Sequence, residues 1–459
     1  MIKQFKINIP SGANEIIRKL HDRGYETYLV GGAVRDSVLK RPIHDYDITT
    51  SATPNEMLEI FKDKRIIETG LQHGTITIVI DGEPYEVTTY RIDGNYSDNR
   101  RPDKVTFTKS LEEDLKRRDF TINAMAYNDE IGLVDPFNGI ADIKQRRIKC
   151  VGNPEDRFSE DALRIMRAVR FSSQLGFKLE PKTDYAVHKM CENLKNVSIE
   201  RINDEFCKIA VSNNFCSQMV LYKDVFSLFI PEIKDMFDFP QNNPYHAYDV
   251  WRHTIRAVEV YQCDCESDLN PCDLITSLAV FFHDIGKPHC YQDGEDGVRH
   301  FKGHGRVSAD MTDEIMKRLR FDNDTREKVV QLVYYHDATF EVGEKYVKRW
   351  LNKIGEEQLR RLLSVRRADI KAQARIEQES RLQKIDNIEY ILEEVLQKDE
   401  CFSLKDLAVN GKDLIEIGYK PGKGMGETLN RLLQIVIDGI SPNKKEELLI
   451  RAEKMKNMD

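Results

Sequence analysis

The sequence predicts an α+β protein, with a small mixed α/β head built on a β-sheet and an elongated all-α region after it. Three observations predict this. In the first ~140 residues, β-branched runs and glycine turns alternate with short helical segments. Beyond about residue 141 that alternation fades and helical periodicity takes over. A chain of 459 residues also exceeds one ordinary core, so roughly two to four domains are expected.

Taken in order, ETYLVGG reads as a strand running into a glycine turn, and AVRDSVLK reads as the helix that follows. GTITIVIDGEPYEVTTYRI holds two β-rich runs split by Asp81-Gly82, a hairpin signal. The next stretch, DGNYSDNRRPDKVTFTKS, is polar and glycine-bearing and predicts a loop. Asp135-Pro136-Phe137-Asn138-Gly139 has turn chemistry. EDALRIMRAVRFSSQLGF is the clearest helix, with Leu163, Met166, Val169 and Phe171 towards one side. DFPQNNPYH marks a second boundary, and helix continues to about residue 375. A charged helix and a tail from CFSLKDL complete the chain. The expected domains are residues 1–140, 141–238, 239–375 and 376–459.

Composition narrows the class. With 40% apolar and 32% charged residues the chain reads as soluble and globular, and no apolar run approaches the ~20 residues of a membrane span. The start, MIKQFKINIPSGANEI, lacks the apolar segment of a secretory signal, so a cytoplasmic location is expected. A net charge of −8 argues mildly against indiscriminate attraction to a polyanion, yet leaves room for one basic face. Nine scattered cysteines read as reduced thiols. Cys263, Cys265 and Cys272 lack the matching second pair of a zinc site.

Two carboxylates stand two residues apart in His44-Asp45-Tyr46-Asp47-Ile48. On a strand, Asp45 and Asp47 would point to one face, and they would repel unless a cation such as Mg²⁺ lay between them. Most isolated Asp-x-Asp pairs are merely solvated turns. Just upstream, Gly31-Gly32-Ala33-Val34-Arg35-Asp36 ends a strand and opens a helix, where Gly32 lets backbone N–H groups approach phosphate and Arg35 adds a charge. A tight turn with a structural Arg–Asp pair is the alternative. Farther on, Asp161 and Arg164 are three residues apart and on one helix would project together. Such a pair can accept from the exocyclic amine and donate to the ring nitrogen of cytosine or adenine, and mismatches uracil and guanine. An ordinary surface ion pair is the alternative here.

These residues resemble a family. LVGGAVRDSVLKRPIHDYDITTSATP is similar to the signature of class II tRNA nucleotidyltransferases and bacterial poly(A) polymerases, in the polymerase β superfamily. The resemblance implies that Asp45 and Asp47 bind catalytic Mg²⁺, with Glu86 in the place of a third acidic residue. RDFTINA resembles the ribose-recognition motif, in which Asp119 accepts from a ribose hydroxyl, Arg118 reaches phosphate or braces the loop and Asn123 is the structural member of the nucleotide-binding set. RFSEDALRIMRAVRFSSQLGF resembles the nucleotide-selection motif, with Arg157 a further contact, and VSIERINDEF resembles a brace for the neck helices. Arg100 and Arg101, in the polar loop, are candidate RNA contacts, with a plain solvated loop as the alternative. The match runs from about residue 28 to 210.

A further set lies in the body. His283-Asp284 ends an apolar helix, with His253, His304, His336 and Asp369 as companions. Their order resembles the HD phosphohydrolase superfamily. It implies His253, His283, Asp284 and Asp369 as ligands of a divalent transition metal or Mg²⁺, and His304 and His336 for a second metal or phosphate. The alternative is a degenerate fold whose histidines merely pack. His21, His188 and His289 read as structural or surface residues, and His246 as a weaker candidate.

The expected function is template-independent addition of CCA to tRNA from CTP and ATP by a two-metal mechanism, with phosphohydrolase activity in the body. Poly(A) addition, partial addition, or phosphohydrolysis with an RNA-binding head are the alternatives. Expected partners are tRNA, ATP and CTP, with no membrane and no obligate protein partner.

Overall fold

The β-branched alternation of the N-terminal region becomes one seven-stranded sheet. The computed structural model describes residues 6–43, 45–94, 105–265, 272–398 and 400–456. Arg100 and Arg101 lie outside them. The chain divides into two units, residues 1–229 and 230–459, and the α+β class is as predicted.

In the first unit the order is α1 (Ser11–His21), β1 (Thr27–Val30), α2 (Gly32–Leu39), β2 (Ile48–Thr50), α3 (Pro54–Ile60), β3 (Arg65–Gly70), β4 (Thr75–Ile80) and β5 (Glu83–Thr89). Then come β6 (Arg91–Asp93), β7 (Val105–Phe107), α4 (Leu111–Lys116), β8 (Ala126–Asn128) and β9 (Gly132–Val134). The sheet order is β3-β4-β5-β2-β1-β8-β9. Period-two patterning decides its faces: Ile76, Ile78 and Ile80 of β4 and Tyr85 and Val87 of β5 are buried, while Glu86 points outward. Asp81 and Gly82 both take positive φ, as the predicted two-residue hairpin between β4 and β5 requires. The polar stretch after β6 is not all loop, because Val105–Phe107 pairs antiparallel with Arg91–Asp93. Its alternation, VTF, is too short to stand out from its surroundings.

Helices then dominate: α5 (Gly139–Lys144), α6 (Pro154–Glu160), α7 (Leu163–Leu175), α8 (Pro181–Met190), α9 (Ile199–Ala210), α10 (Phe215–Leu221) and α11 (Lys223–Phe226), with two-residue strands β10 (Arg147–Ile148) and β11 (Lys178–Leu179) between them. Leu163, Met166, Val169 and Phe171 of α7 are all buried, as its periodicity predicts. At the head of α5 the Asp135 carboxylate accepts from the N–H groups of Gly139 and Ile140, at 2.7 and 2.9 Å. That is the physical content of the predicted Asp-Pro-Phe-Asn-Gly turn.

The second unit contains α12 (Val250–Asp264), α13 (Leu274–Phe282), the hairpin β12 (Gln292–Asp293) and β13 (Arg299–His300), α14 (His304–Arg318), α15 (Asn323–Tyr335), α16 (Glu344–Ile354), α17 (Glu356–Ala372) and α18 (Gln378–Gln397). The tail adds α19 (Gly411–Glu416), α20 (Lys423–Ile437) and α21 (Lys445–Lys456) around Leu414, Leu432, Leu433 and Leu448. Asp249, Asp273 and Asp322 cap α12, α13 and α15 through their side chains. α12, α13, α15 and α17 pack on one another and bring the body histidines together. The glycine-rich stretch after Pro421 enters the first turn of α20 at Lys423. Among the described residues no helix is long and apolar enough to cross a membrane. All nine cysteines are free.

Candidate active site

A cleft of about 810 Å³ in the first unit gathers most of the head and neck residues singled out above. Gly31, Gly32, Arg35, Asp45, Asp47, Arg118, Asp119, Asn123, Asp161 and Arg164 all line it. Each is placed by local structure. β1 ends at Val30, and Gly31 turns the chain into α2 with φ 70° and ψ −127°, a conformation that L side chains rarely adopt. A Cβ there would lie 3.2 Å from Arg118 Nη1, so glycine also admits that guanidinium to the cleft.

Asp45 and Asp47 sit in the extended run just before β2 rather than within it. The Asp47 carbonyl still accepts from Val30 N–H at 3.0 Å, which continues the ladder between β1 and β2. β2 runs parallel to β5 in the register Ile48↔Val87, and extending it by one residue sets Asp47 beside Glu86. The electrostatics agree. Desolvation raises the Asp47 carboxyl, Arg118 opposes the shift, and Asp45 reinforces it. Desolvation likewise raises Glu86, with Asp47 and then Asp45 adding to the effect. Three carboxylates feel one another's charge with one guanidinium to offset it. This donor set fits divalent, oxygen-seeking cations.

Around this floor the polar side chains form a chain of contacts. Arg35 donates to Asp36 at 3.0 and 2.7 Å and to Asn123 Oδ1 at 2.7 Å. Asn123 donates to Asp119 at 3.2 Å. Asp119 also accepts from Phe120 N–H at 2.8 Å and from Arg167 Nε and Nη2 at 2.8 and 2.6 Å. Burial works against ionisation of Asp119, yet Arg167 outweighs it and holds the carboxyl down at about 2. Its acceptor capacity is filled by protein donors. Arg167 supplies two of the donors that Asp119 faces in this structure.

The nucleotide-selection segment also departs from expectation. Asp161 and Arg164 do not share one helix. Asp161 is extended (φ −138°, ψ 104°) at the break between α6 and α7. They still meet at the cleft, because Arg164 N–H bonds to the Asp161 carbonyl at 3.0 Å, closing a tight turn. Asp161 accepts from Leu163 N–H at 3.1 Å and from Arg201 Nη2 at 2.9 Å. Arg164 is buried, bonded to Glu160 at 2.6 Å and to the Arg117 carbonyl at 2.9 Å. Arg157 is not brought to the cleft lining. It pairs with Glu160 and donates to the Lys116 carbonyl at 3.3 Å.

Sequence reasoning passed over Arg167, Arg170 and Lys208, which also line the cleft. The signal was available for two of them, since Arg164, Arg167 and Arg170 recur at the i,i+3 spacing of one helix face. Lys208 gave none. Arg201 of α9, in the VSIERINDEF segment, pairs with Asp161 at 2.9 Å.

Comparison with known proteins decides the family. The CCA-adding enzyme of Enterococcus faecalis is 32% identical over 457 residues, spanning 97% of this chain and 96% of that one. The chain belongs to the tRNA nucleotidyltransferase/poly(A) polymerase family. The family model described as the poly A polymerase head domain matches residues 27–149. Those for an RNA- and SrmB-binding site of polymerase A and for a tRNA nucleotidyltransferase domain 2 match residues 176–235 and 306–452. The Lactobacillus helveticus CCA-adding enzyme is 34% identical over 442 residues, 95% of each chain. Among solved structures, the Bacillus stearothermophilus CCA-adding enzyme in complex with CTP superposes with TM-score 0.67 at 29% identity, covering 97% of this chain and 98% of that one.

This member of the tRNA nucleotidyltransferase family carries a second cluster, in its other unit. His253, His283 and Asp284 converge, and so do Asp284, His304 and His336, all buried. His253 Nε2 lies 3.0 Å from Asp369 Oδ1 and 3.3 Å from Asp284 Oδ2, and His283 Nε2 lies 3.2 Å from the latter. The Nδ1 atoms of His283, His304 and His336 each bond to a backbone carbonyl three residues earlier, at 2.7, 2.8 and 2.7 Å. A carbonyl only accepts, so Nδ1 carries the proton, and in the neutral ring Nε2 presents a lone pair. Yet Nε2 of His304 and of His336 face each other at 3.0 Å, and those of His253 and His283 at 3.3 Å. Burial pushes His336 down to about 3, which keeps it neutral. Asp284 finds no well-directed hydrogen-bond donor for either oxygen, although Lys287 Nζ stands 2.7 Å from Oδ2. Opposed lone pairs of His304 and His336 beside an unsatisfied buried carboxylate fit a bound cation. His246, the weaker candidate, is half-buried and lines the same pocket, with its ring 5.2 Å from that of His253. His21, His188 and His289 make outlying ion contacts with Glu130, Asp224 and Asp235.

Proposed function

We propose that this protein adds C, C and A in turn to the 3′ end of tRNA, using CTP and ATP and releasing pyrophosphate. The observation that carries the reading is that one cleft holds both the acidic floor and a base-sized polar pair, Asp161 and Arg164. The relatives' names and the CTP complex of the solved neighbour point the same way. Asp45 and Asp47 would hold Mg²⁺ with Glu86 beside them, and Mg²⁺ there would supply positive charge for the attacking 3′-hydroxyl and the leaving pyrophosphate. The turn at Gly31 and Gly32 and the guanidinium of Arg118 orient the triphosphate. Arg167, fixed by Asp119, adds charge on the wall.

Base choice follows from donor and acceptor matching. Asp161 accepts from the exocyclic amine of cytosine or adenine while Arg164 donates to the adjacent ring nitrogen. Uracil or guanine would set acceptor against acceptor. The test supplies single labelled nucleotides to tRNA lacking its last three residues. CTP should enter twice and ATP once afterwards. Long A tails would identify a poly(A) polymerase, and two C without A a partial adder.

Arg201 gives a finer prediction. It holds Asp161 in its reading position at 2.9 Å, and a charge-assisted bond of this kind contributes roughly 1.5–3 kcal/mol. Arg201→Ala should raise UTP misincorporation about tenfold or more relative to CTP, with overall addition less affected. Unchanged discrimination in competition assays would remove Arg201 from base selection.

A second reading is favoured by the facing Nε2 atoms. We propose that the body cluster is a metal-dependent phosphohydrolase centre of the HD type, with His253, His283, Asp284 and Asp369 as the main ligands and His304 and His336 available to a second ion. The nitrogen-rich set suits a transition metal better than Mg²⁺. A metal bound there would supply hydroxide near neutral pH. Asp284→Ala should lose about one equivalent of tightly bound metal by elemental analysis, together with phosphodiesterase activity. Wild-type metal content in the variant would refute the centre.

A further inference from the structure

Asp114 of α4 is fully buried and stands behind the cleft wall rather than in it. A charge so placed persists only when its partners make up for the lost water. Its two oxygens divide those partners between them. Oδ1 accepts from Arg117 Nε and Nη2 at 3.0 and 2.8 Å and from Arg91 N–H at 3.3 Å. Oδ2 accepts from Thr49 Oγ1 at 3.2 Å and faces Arg118 Nη2 at 3.7 Å. Burial works against ionisation, yet Arg117 and then Arg118 outweigh it and hold the carboxyl below its usual range. Asp114 lies three and four residues before these arginines, a spacing that on an exposed helix contributes little. Here the two arginine side chains are only 17% and 19% exposed.

Each partner leads to a different part of the cleft. Thr49 lies on β2, two residues beyond Asp47, so the carboxylate is fastened to the strand that carries the acidic floor. Arg118 lines the cleft, and its Nη1 occupies the room that Gly31 leaves. At 3.7 Å its contact with Asp114 is one of charge rather than a hydrogen bond, which directs the guanidinium without consuming its donors. Arg118 Nε likewise donates to no partner among the described residues. Arg117 leads instead to the base reader. Its guanidinium is fixed by Oδ1, and its carbonyl accepts from Arg164 Nη2 at 2.9 Å.

Resting on the reading of Arg118 as a triphosphate contact and Arg164 as a base reader, we propose that Asp114 is their shared positioning residue. Through Oδ2 it aims Arg118 at the triphosphate. Through Oδ1 and the Arg117 carbonyl it seats Arg164. It touches neither the nucleotide nor the metal floor. Grip on the phosphates and choice of base hang from one carboxylate that the sheet itself holds.

Two substitutions separate the oxygens. Asp114→Asn keeps an acceptor for Arg117 and Arg91, lets its amide donate to Thr49, and sets N–H against Arg118. It should raise KM for CTP and for ATP alike by about tenfold, and leave the preference for CTP over UTP at its wild-type value. Asp114→Ala removes both contacts and should also lower that preference by about tenfold. Should Asp114→Ala unfold, Arg117→Met tests the Oδ1 branch with the same expected loss of preference. A purely structural role would reduce the folded fraction and leave KM and base preference of the folded molecules alone. Calorimetric CTP binding to Asp114→Asn, Arg118→Ala and the double variant closes the cycle. Arg118→Ala should weaken CTP, and Asp114→Asn should add roughly twofold at most to that loss.

Fully additive losses, or an altered base preference in Asp114→Asn, would overturn the proposal while leaving Arg118 on the triphosphate. Wild-type base preference in Asp114→Ala and Arg117→Met would overturn the shared anchor. CTP binding unchanged by Arg118→Ala would overturn both the proposal and the reading of Arg118 beneath it.

Discussion

Asp47→Asn should lower nucleotide addition to tRNA by roughly a thousandfold or more while leaving the fold in place. The carboxylate lies among two others whose charges it feels, and its backbone, not its side chain, joins the sheet. Asparagine keeps the shape and removes one of the charges that would hold Mg²⁺ against the triphosphate. Losing several kcal/mol of charge stabilisation in the transition state corresponds to about two to four powers of ten in rate. Single-turnover incorporation of labelled CMP checks this, with circular dichroism as the control. A variant within tenfold of wild type would show that Asp47 is not part of the metal floor.

Arg167→Ala should give the largest loss of stability among the cleft residues. Asp119 is 7% exposed and is held ionised by Arg167. Breaking a fully buried pair costs about 3–5 kcal/mol, because one charge is left behind without a partner. The Arg167 side chain is 34% exposed, so water offsets part of this, and a loss of about 2–3 kcal/mol is expected. The pH dependence has a definite sign. A carboxyl held at about 2 against its usual 3.8 contributes stability that is fully present above pH 3.8 and is lost as pH falls towards 2. In the variant that contribution should be absent at neutral pH. Thermal melts from pH 7 to pH 3 would show it, and a wild-type melting profile would mean that Asp119 has another partner.

Much of the head was legible because its signals are local. Asp81-Gly82 encodes its own hairpin, and the period-two run of β4 encodes its buried face. The gathering of Gly32, Arg35, Asp45, Asp47, Asn123, Asp161 and Arg164 into one cleft followed from motif order. What the sequence hid depends on how separate segments meet. Asp119 and Arg167 are 48 residues apart, and nothing local says that one consumes the other's hydrogen bonds. The break at Asp161 was hidden by Ala162 and Leu163, both good helix formers, which give no stop signal. Arg157 was a candidate through the resemblance of its motif, and a motif alone does not say that its guanidinium pairs with Glu160. In the body the histidines were found by residue type. The opposition of the His304 and His336 Nε2 atoms emerges only when carbonyls three residues back fix both rings.

The reading stands or falls on one cleft doing both jobs, holding metal and reading a base. The most direct measurement is a crystal structure of the protein with CTP and Mn²⁺, using anomalous scattering to find the ions. The expected result is Mn²⁺ bound by Asp45 and Asp47, with the cytosine amine within hydrogen-bond distance of Asp161 and its ring nitrogen facing Arg164. Ions bound away from those carboxylates, or a cytosine whose edge meets neither Asp161 nor Arg164, would contradict it.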